Sequence, residues 1–132
     1  AVSDMNAIRV LVVDDDALVR SALGLMLGGR TDVTVVGEAG DGDEAVAAVR
    51  SLLPDVVLMD VRMPRMTGYE ACKIMKTMPG IRDVPVVFLT ARGQESEIQQ
   101  GLGAGAEEYL LKPFAPDQLT ERVKAILAKF GK

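Results

Sequence analysis

The sequence predicts an α/β fold, a parallel sheet covered by helices on both faces, and three observations carry that expectation. Apolar, β-branched runs recur along the chain without polar alternation, as strands buried on both faces require. Segments of helical periodicity separate them, so right-handed crossovers can join parallel strands. Two of the runs end directly in carboxylates, Val12-Val13-Asp14-Asp15-Asp16 and Val57-Leu58-Met59-Asp60, and a third, Leu110-Leu111-Lys112-Pro113-Phe114, ends in a lysine. Ligands of open α/β sheets bind beyond the carboxyl ends of the strands. The acids and the lysine are therefore expected to meet at one edge, in a pocket suited to a divalent cation and a phosphoryl group.

Each element has its own warrant. Ile8 to Val13 is the first strand; Leu18, Ala22, Leu25 and Met26 then follow a helical period until Gly28-Gly29 stops it. Val33 to Val36 is the second strand, and a helix should run from Asp41-Gly42-Asp43 through Ala45, Val49 and Leu52 to the boundary before Pro54. Asp55 to Asp60 is the third strand. A loop with Met63-Pro64 and Gly68 leads to a helix with Ala71, Ile74, Met75 and Met78 on one stripe, ending near Pro79-Gly80. Val84 to Thr90 is the fourth strand, with Pro85 at its start. From Gly93 to Ala106 a weak helix is expected, because Gly101, Gly103 and Gly105 each cost about 1 kcal/mol relative to alanine. Tyr109 to Leu111 lies in the fifth strand, and Leu119, Val123, Ile126, Leu127 and Phe130 mark a last helix with Pro116 near its first turn.

Composition narrows the function classes. The 132 residues suffice for one domain with a real core and are too few for two. Hydrophobic content of 48% with 26% charged residues is ordinary for a soluble fold. No apolar run approaches the roughly 18 residues of a membrane span, and no segment resembles a signal peptide, so a cytoplasmic location is expected. The single cysteine, Cys72, excludes an internal disulfide and suits a reducing compartment. A net charge of -4 argues against direct nucleic-acid binding by this domain. The absence of histidine removes Ser/His and Cys/His nucleophiles and histidine metal sites.

Five features in order carry a resemblance that covers nearly the whole chain. The acid pair Asp14-Asp15, the strand ending in Asp60, the Met63-Pro64 and Gly68 loop, Thr90-Ala91 and Lys112-Pro113-Phe114 together resemble the receiver domain of two-component response regulators. The resemblance implies a flavodoxin-like (βα)5 three-layer sandwich with strand order 2-1-3-4-5. It also implies a domain over residues 8–130, an N-terminal extension at 1–7 and a tail at 131–132.

The chemistry is consistent with that family. A carboxylate can attack a phosphoryl group and form an acyl phosphate, and Asp60 is the best candidate because it ends the central strand. The transferring group is rich in oxygen charge, so cations must surround it. Mg²⁺ prefers oxygen ligands and keeps several waters, with Mn²⁺ an acceptable substitute. By resemblance, Asp15 and Asp60 bind the metal directly, Asp14 binds it through water, and the backbone carbonyl of Arg62 completes the protein ligands. Crowded carboxylates repel without a cation, so metal affinity should fall in acid. Lys112 supplies positive charge and the Thr90 hydroxyl can donate to a phosphoryl oxygen; by the same resemblance, the Ala91 amide is a further donor and a cis Lys112-Pro113 peptide aims the lysine inward. Tyr109 matches the switch aromatic: when Thr90 moves toward the phosphoryl group, the ring fills the vacated space. That couples Asp60 to the face of the fourth helix, fifth strand and fifth helix.

The resemblance also names partners: a sensor histidine kinase or phosphotransfer protein as donor, an output domain or target protein, and a phosphorylation-dependent homodimer through that same face. Glu108 with Arg122 resembles one interfacial pair, whereas Gln100 and Gln118 stand where another charged pair is usual. Arg62 and Arg92 occupy positions that tune loss of the phosphoryl group, and two long basic chains there predict slow self-dephosphorylation. Thr67 replaces a common aspartate and should alter only a helix cap. Asp16 is assigned to the cap of the first helix, the methionines to core filling, and Cys72 to an inert position. The segment from Asp32 to Ala39 resembles receivers of helix-turn-helix regulators, and the segment from Glu107 to Phe114 resembles winged-helix or single-domain types. Other function classes are a metal-dependent aspartyl-phosphate phosphatase, which needs a second aspartate that Asp60-Val61-Arg62 lacks, and a phosphorylation-independent interaction module. A flavin carrier is disfavoured by 4% aromatic residues and no tryptophan.

Overall fold

Apolar strands that bury both faces dictate the architecture. The computed structural model describes residues 7–28, 32–61, 63, 65–91, 108–112 and 116–128, with the backbone alone at 90–91, 108–112, 116–117 and 127. The strands are β1 (Ile8–Val13), β2 (Val33–Ala39), β3 (Val56–Asp60), β4 (Val86–Ala91) and β5 (Glu108–Lys112); the helices are α1 (Ala17–Gly28), α2 (Gly42–Leu52), α3 (Gly68–Lys76) and α4 (Pro116–Ala128). The sheet order is β2-β1-β3-β4-β5 and every pairing is parallel. The expected doubly wound, flavodoxin-like sandwich is therefore the observed one. The weak helix expected at Gly93 to Ala106 lies outside the described residues.

Alternate residues of each strand feed two cores. Leu11, Val13, Val57, Met59 and Phe88 pack with Ala45 and Val49 of α2 and with Tyr69, Ala71, Cys72 and Met75 of α3. Val10, Val12, Val56, Leu58, Val87 and Leu89 pack on the other face with Leu23 and Leu27 of α1 and Leu119, Val123 and Ile126 of α4. The period of two along a strand is what separates the two sets.

Three expectations need correction. The buried face of α1 is not the Leu18, Ala22, Leu25 stripe: Leu18 and Leu25 are 81% and 83% exposed, whereas Leu23 and Leu27 are buried. The helix is apolar on more than one side, so several stripes satisfy a helical period, and only the one facing Val10, Val12 and Val33 is covered. In α3 the inward residues are Tyr69, Ala71, Cys72 and Met75, while Ile74 is exposed and the helix ends at Lys76. β2 is longer than Val33 to Val36, because Gly37, Glu38 and Ala39 continue the ladder opposite Leu11, Val12 and Val13. Gly37 does not break that strand. A Cβ there would lie 2.6 Å from Leu52 Cδ1, so the glycine makes room for α2.

Caps fix the helices near the carboxyl edge. Thr67 caps α3 in a capping box with Glu70, so its departure from aspartate keeps the cap. Asp41 caps α2: one oxygen accepts from the Glu44 amide at 2.8 Å, and the other lies 3.5 Å from Arg65 Nη2. The Glu44 amide, with smaller help from the Glu44 side chain and the Arg65 charge and against partial desolvation, holds the Asp41 carboxyl below its usual 3.8. A depressed folded pKa stabilises the fold above the unfolded value, and the gain disappears as pH falls through the folded value. Asparagine also caps well. Asp41→Asn is therefore expected to lose a little stability at neutral pH and to converge with the native chain as pH drops below 3.8. Urea midpoints across that range check this, and a gap that widens in acid would contradict it.

Candidate functional site

Three carboxylates converge where β1 and β3 end. Asp14 and Asp15 follow Val13, the last residue of β1, and Asp60 is the last residue of β3. Because Val13 pairs with Met59, the next residue of each strand lies at the same level of the sheet. One carboxylate oxygen from each of Asp14, Asp15 and Asp60 lies within 4.8 Å of the others. Asp14 is 1% exposed, Asp60 is half-buried and Asp15 is exposed.

The surroundings hold this cluster in shape. The Asp14 amide donates to the Ala39 carbonyl at 3.1 Å, which extends the β1–β2 ladder one step past Val13. Asp14 Oδ1 accepts from the Asp16 amide at 2.9 Å, and Asp16 Oδ1 accepts from the Leu18 amide at 2.9 Å. Asp16 thus caps the start of α1 and stands outside the cluster, as its sequence position suggested. Arg20 donates through Nη1 to the Asp14 carbonyl, and its Nε pairs with Glu38 at 3.0 Å.

After Asp60 the chain turns sharply. The Gly68 amide donates to the Val61 carbonyl at 2.9 Å, closing a loop whose residues Val61 and Met63 are buried. A Cβ on Gly68 would lie 2.5 Å from the Asp60 carbonyl oxygen and 3.2 Å from Phe88 Cε1. Only glycine lets α3 start against the backbone of Asp60. Arg65 adopts φ 67°, and Met66 covers Gly42, where a Cβ would meet its sulfur at 2.5 Å.

The remaining site residues are placed by backbone. Thr90 and Ala91 end β4, and Lys112 ends β5 opposite Ala91. They share the carboxyl edge with Asp60, as expected. The side chains of Thr90, Tyr109 and Lys112, the Arg62 carbonyl, Arg92 and Pro113 lie outside what the structure describes. Two contributors escaped the sequence reading. Arg20 stands six positions after Asp14 with no motif of its own; a cation one turn into α1 was the available signal. Gly68 appeared as a motif letter, without the backbone approach that requires it.

The cluster suits a hard divalent cation. All three donors are carboxylates, no softer ligand is present in the group, and their oxygens are close enough to share one ion. A groove of about 450 Å³ elsewhere, lined by Arg50, Leu53, Met78 and Ile81, offers a cation and apolar surface and no acid. It cannot perform the same chemistry.

Comparison with known proteins decides the family. The response regulator receiver domain matches residues 10–124. This chain belongs to that family. It is similar to MtrA, a DNA-binding response regulator of Mycobacterium tuberculosis (strain ATCC 25618 / H37Rv), at 42% identity over 121 residues, covering 92% of this chain and 51% of MtrA. YxjL of Bacillus subtilis (strain 168), named as an uncharacterized transcriptional regulatory protein, is 43% identical over 121 residues, covering 91% of this chain and 54% of YxjL. A crystallised protein of Chloroflexus aurantiacus J-10-fl, assigned as a response regulator, superposes with a TM-score of 0.85 at 40% identity, covering 92% of this chain and 98% of that one. The chain spans about half the length of the curated relatives it matches. Receiver domains act in two-component systems, where they partner histidine kinases and output domains. Among the described residues no helix is long and apolar enough to cross a membrane.

Proposed function

We propose that Asp60 is the phosphoacceptor of this receiver and that Mg²⁺, bound by Asp14, Asp15 and Asp60, assists the transfer. The observation that carries the reading is the meeting of three carboxylate oxygens within 4.8 Å at the carboxyl ends of β1 and β3. A carboxylate oxygen of Asp60 forms a bond to phosphorus as the bond from phosphorus to the donor breaks, leaving an acyl phosphate and the freed donor. The cation, when bound, neutralises oxygen charge that would otherwise repel the cluster. Asp14 is buried and its Oδ1 accepts from the Asp16 amide, which suits a ligand acting through water, and the exposed Asp15 suits direct contact. The Arg62 carbonyl completes the ligands.

Lys112 pairs with a phosphoryl oxygen, and the Thr90 hydroxyl and Ala91 amide donate to others; their strand ends share the edge with Asp60, which supports this assignment. Tyr109, in β5 opposite Phe88, reports the change to the face containing β5 and α4. That face meets an output partner or a second copy, in the cytoplasm, with a sensor histidine kinase or phosphotransfer protein as donor. The receiver proper spans 8–130, and Arg62 and Arg92 slow loss of the phosphoryl group. The phosphatase alternative draws no support from the family, and Asp60-Val61-Arg62 lacks its second acid.

Metal removal tests the reading. Incubation with acetyl phosphate and Mg²⁺ is expected to add one phosphoryl group per chain by intact mass. A chelator is expected to stop uptake, and excess Mg²⁺ or Mn²⁺ to restore it. Uptake at an unchanged rate under chelation would overturn the role of the metal.

A further inference from the structure

We infer that Arg20 is a positioning residue for the acidic cluster: it fixes the peptide joining Asp14 to Asp15 and so sets how their carboxylates face a divalent cation. The inference rests on the metal reading proposed above and extends it to a residue outside the cluster.

The local geometry carries it. β1 ends at Val13, and beyond that point the Asp14 carbonyl meets the guanidinium of Arg20 from α1. Asp14 is buried, and a buried carbonyl needs a donor. A peptide group is planar, so fixing the direction of the Asp14 carbonyl also fixes the direction of the Asp15 amide and the plane from which Asp15 departs. Arg20 is itself held, because Nε pairs with Glu38 near the end of β2 while Nη1 reaches Asp14. The fork runs beside Gly40, where a Cβ would be in ordinary contact with Arg20 Nη1 at 3.4 Å. The guanidinium thus ties α1, the end of β1 and the end of β2 around the two acids. A planar fork can hold two acceptors at a fixed angle, and a lysine ammonium cannot reproduce that.

The sign of the effect separates positioning from charge. A cation beside the cluster repels an incoming metal ion, so if Arg20 acted only through charge, its removal would tighten Mg²⁺ binding. Positioning predicts the reverse. Outer partners of metal ligands typically change affinity by about tenfold or more when removed.

Calorimetric titration of the whole chain with Mg²⁺ tests this for the native protein, Arg20→Lys, Arg20→Gln and Glu38→Gln, with thermal melting in metal-free buffer alongside. Both Arg20 variants are expected to bind Mg²⁺ about tenfold more weakly, with no rescue by lysine, and Glu38→Gln to show a smaller loss. Unchanged or tighter binding in the folded Arg20 variants would overturn the inference, even where melting falls, because a merely structural role moves the melt and not the affinity. Where the Arg20 variants do not fold, Glu38→Asp, which keeps the negative charge and shortens the anchor of the arginine, carries the same test: weaker Mg²⁺ binding is expected, and unchanged binding would overturn the inference. Failure of the native chain to bind Mg²⁺ would instead overturn the metal reading itself.

Discussion

Asp60→Asn is expected to take up no phosphoryl group from acetyl phosphate, against one per chain for the native protein, while keeping the fold. An amide has no anionic oxygen to attack phosphorus, and the neighbouring acids cannot take over. Asp14 is buried and its Oδ1 is held by the Asp16 amide, and Asp15 leaves from the edge of a different strand. The substitution also removes one of three crowded negative charges. Metal-free Asp60→Asn should therefore melt no lower than the native chain and bind Mg²⁺ more weakly. Intact mass, melting and metal titration together separate loss of the nucleophile from loss of the fold. A full adduct on the folded variant would show that another group accepts the phosphoryl.

Phe88→Ala is expected to have the largest effect on stability, about 3–5 kcal/mol. Phe88 is among the largest fully buried side chains, and it faces Met59 across β3 and β4. Its ring meets Tyr69 edge to face, with centroids 5.0 Å apart and planes at 83°. It also lies beneath Gly68, within contact of where a Cβ would sit. Its removal opens a cavity under the turn that follows Asp60, and a loss of that size is a large share of the roughly 5–15 kcal/mol that stabilises a domain. Phe88→Leu, which refills part of the space, should lose less. Urea unfolding gives both values; a loss below about 1 kcal/mol for the alanine variant would mean that the core collapses around the gap. The rate of phosphoryl uptake is expected to fall further than the folded fraction accounts for, since the turn loses its floor.

The strands and the acidic edge were legible because they depend on short, strong signals. A fully apolar run ending in a carboxylate has few structural solutions, and the parallel sheet then brings Asp14, Asp15 and Asp60 together regardless of loop detail. The phase of α1 was not legible in the same way. Leu18 and Leu25 satisfy a helical period as well as Leu23 and Leu27 do, and the choice is made by the strand residues that face them. The length of β2 was hidden by Gly37, whose usual meaning as a breaker is overridden by the packing of Leu52 across it. Arg20 and Gly68 act through the backbone of Asp14 and Asp60, a contact that a lone cation one turn into α1 and a loop glycine signal only weakly. The cap formed by Thr67 with Glu70 is legible in the spacing of the two residues, although Thr67 by itself reads only as a departure expected to alter the cap.

The acceptor assignment is tested most directly by mapping the phosphoryl bond chemically. Borohydride reduces an acyl phosphate to an alcohol and leaves serine and threonine phosphate esters untouched. After incubation with acetyl phosphate and Mg²⁺, reduction and peptide mass mapping, position 60 should carry the mass of homoserine in the phosphorylated fraction, and no other acid should be altered. Homoserine at position 14 or 15, or a label that survives reduction on a hydroxyl residue, would contradict Asp60 as the acceptor.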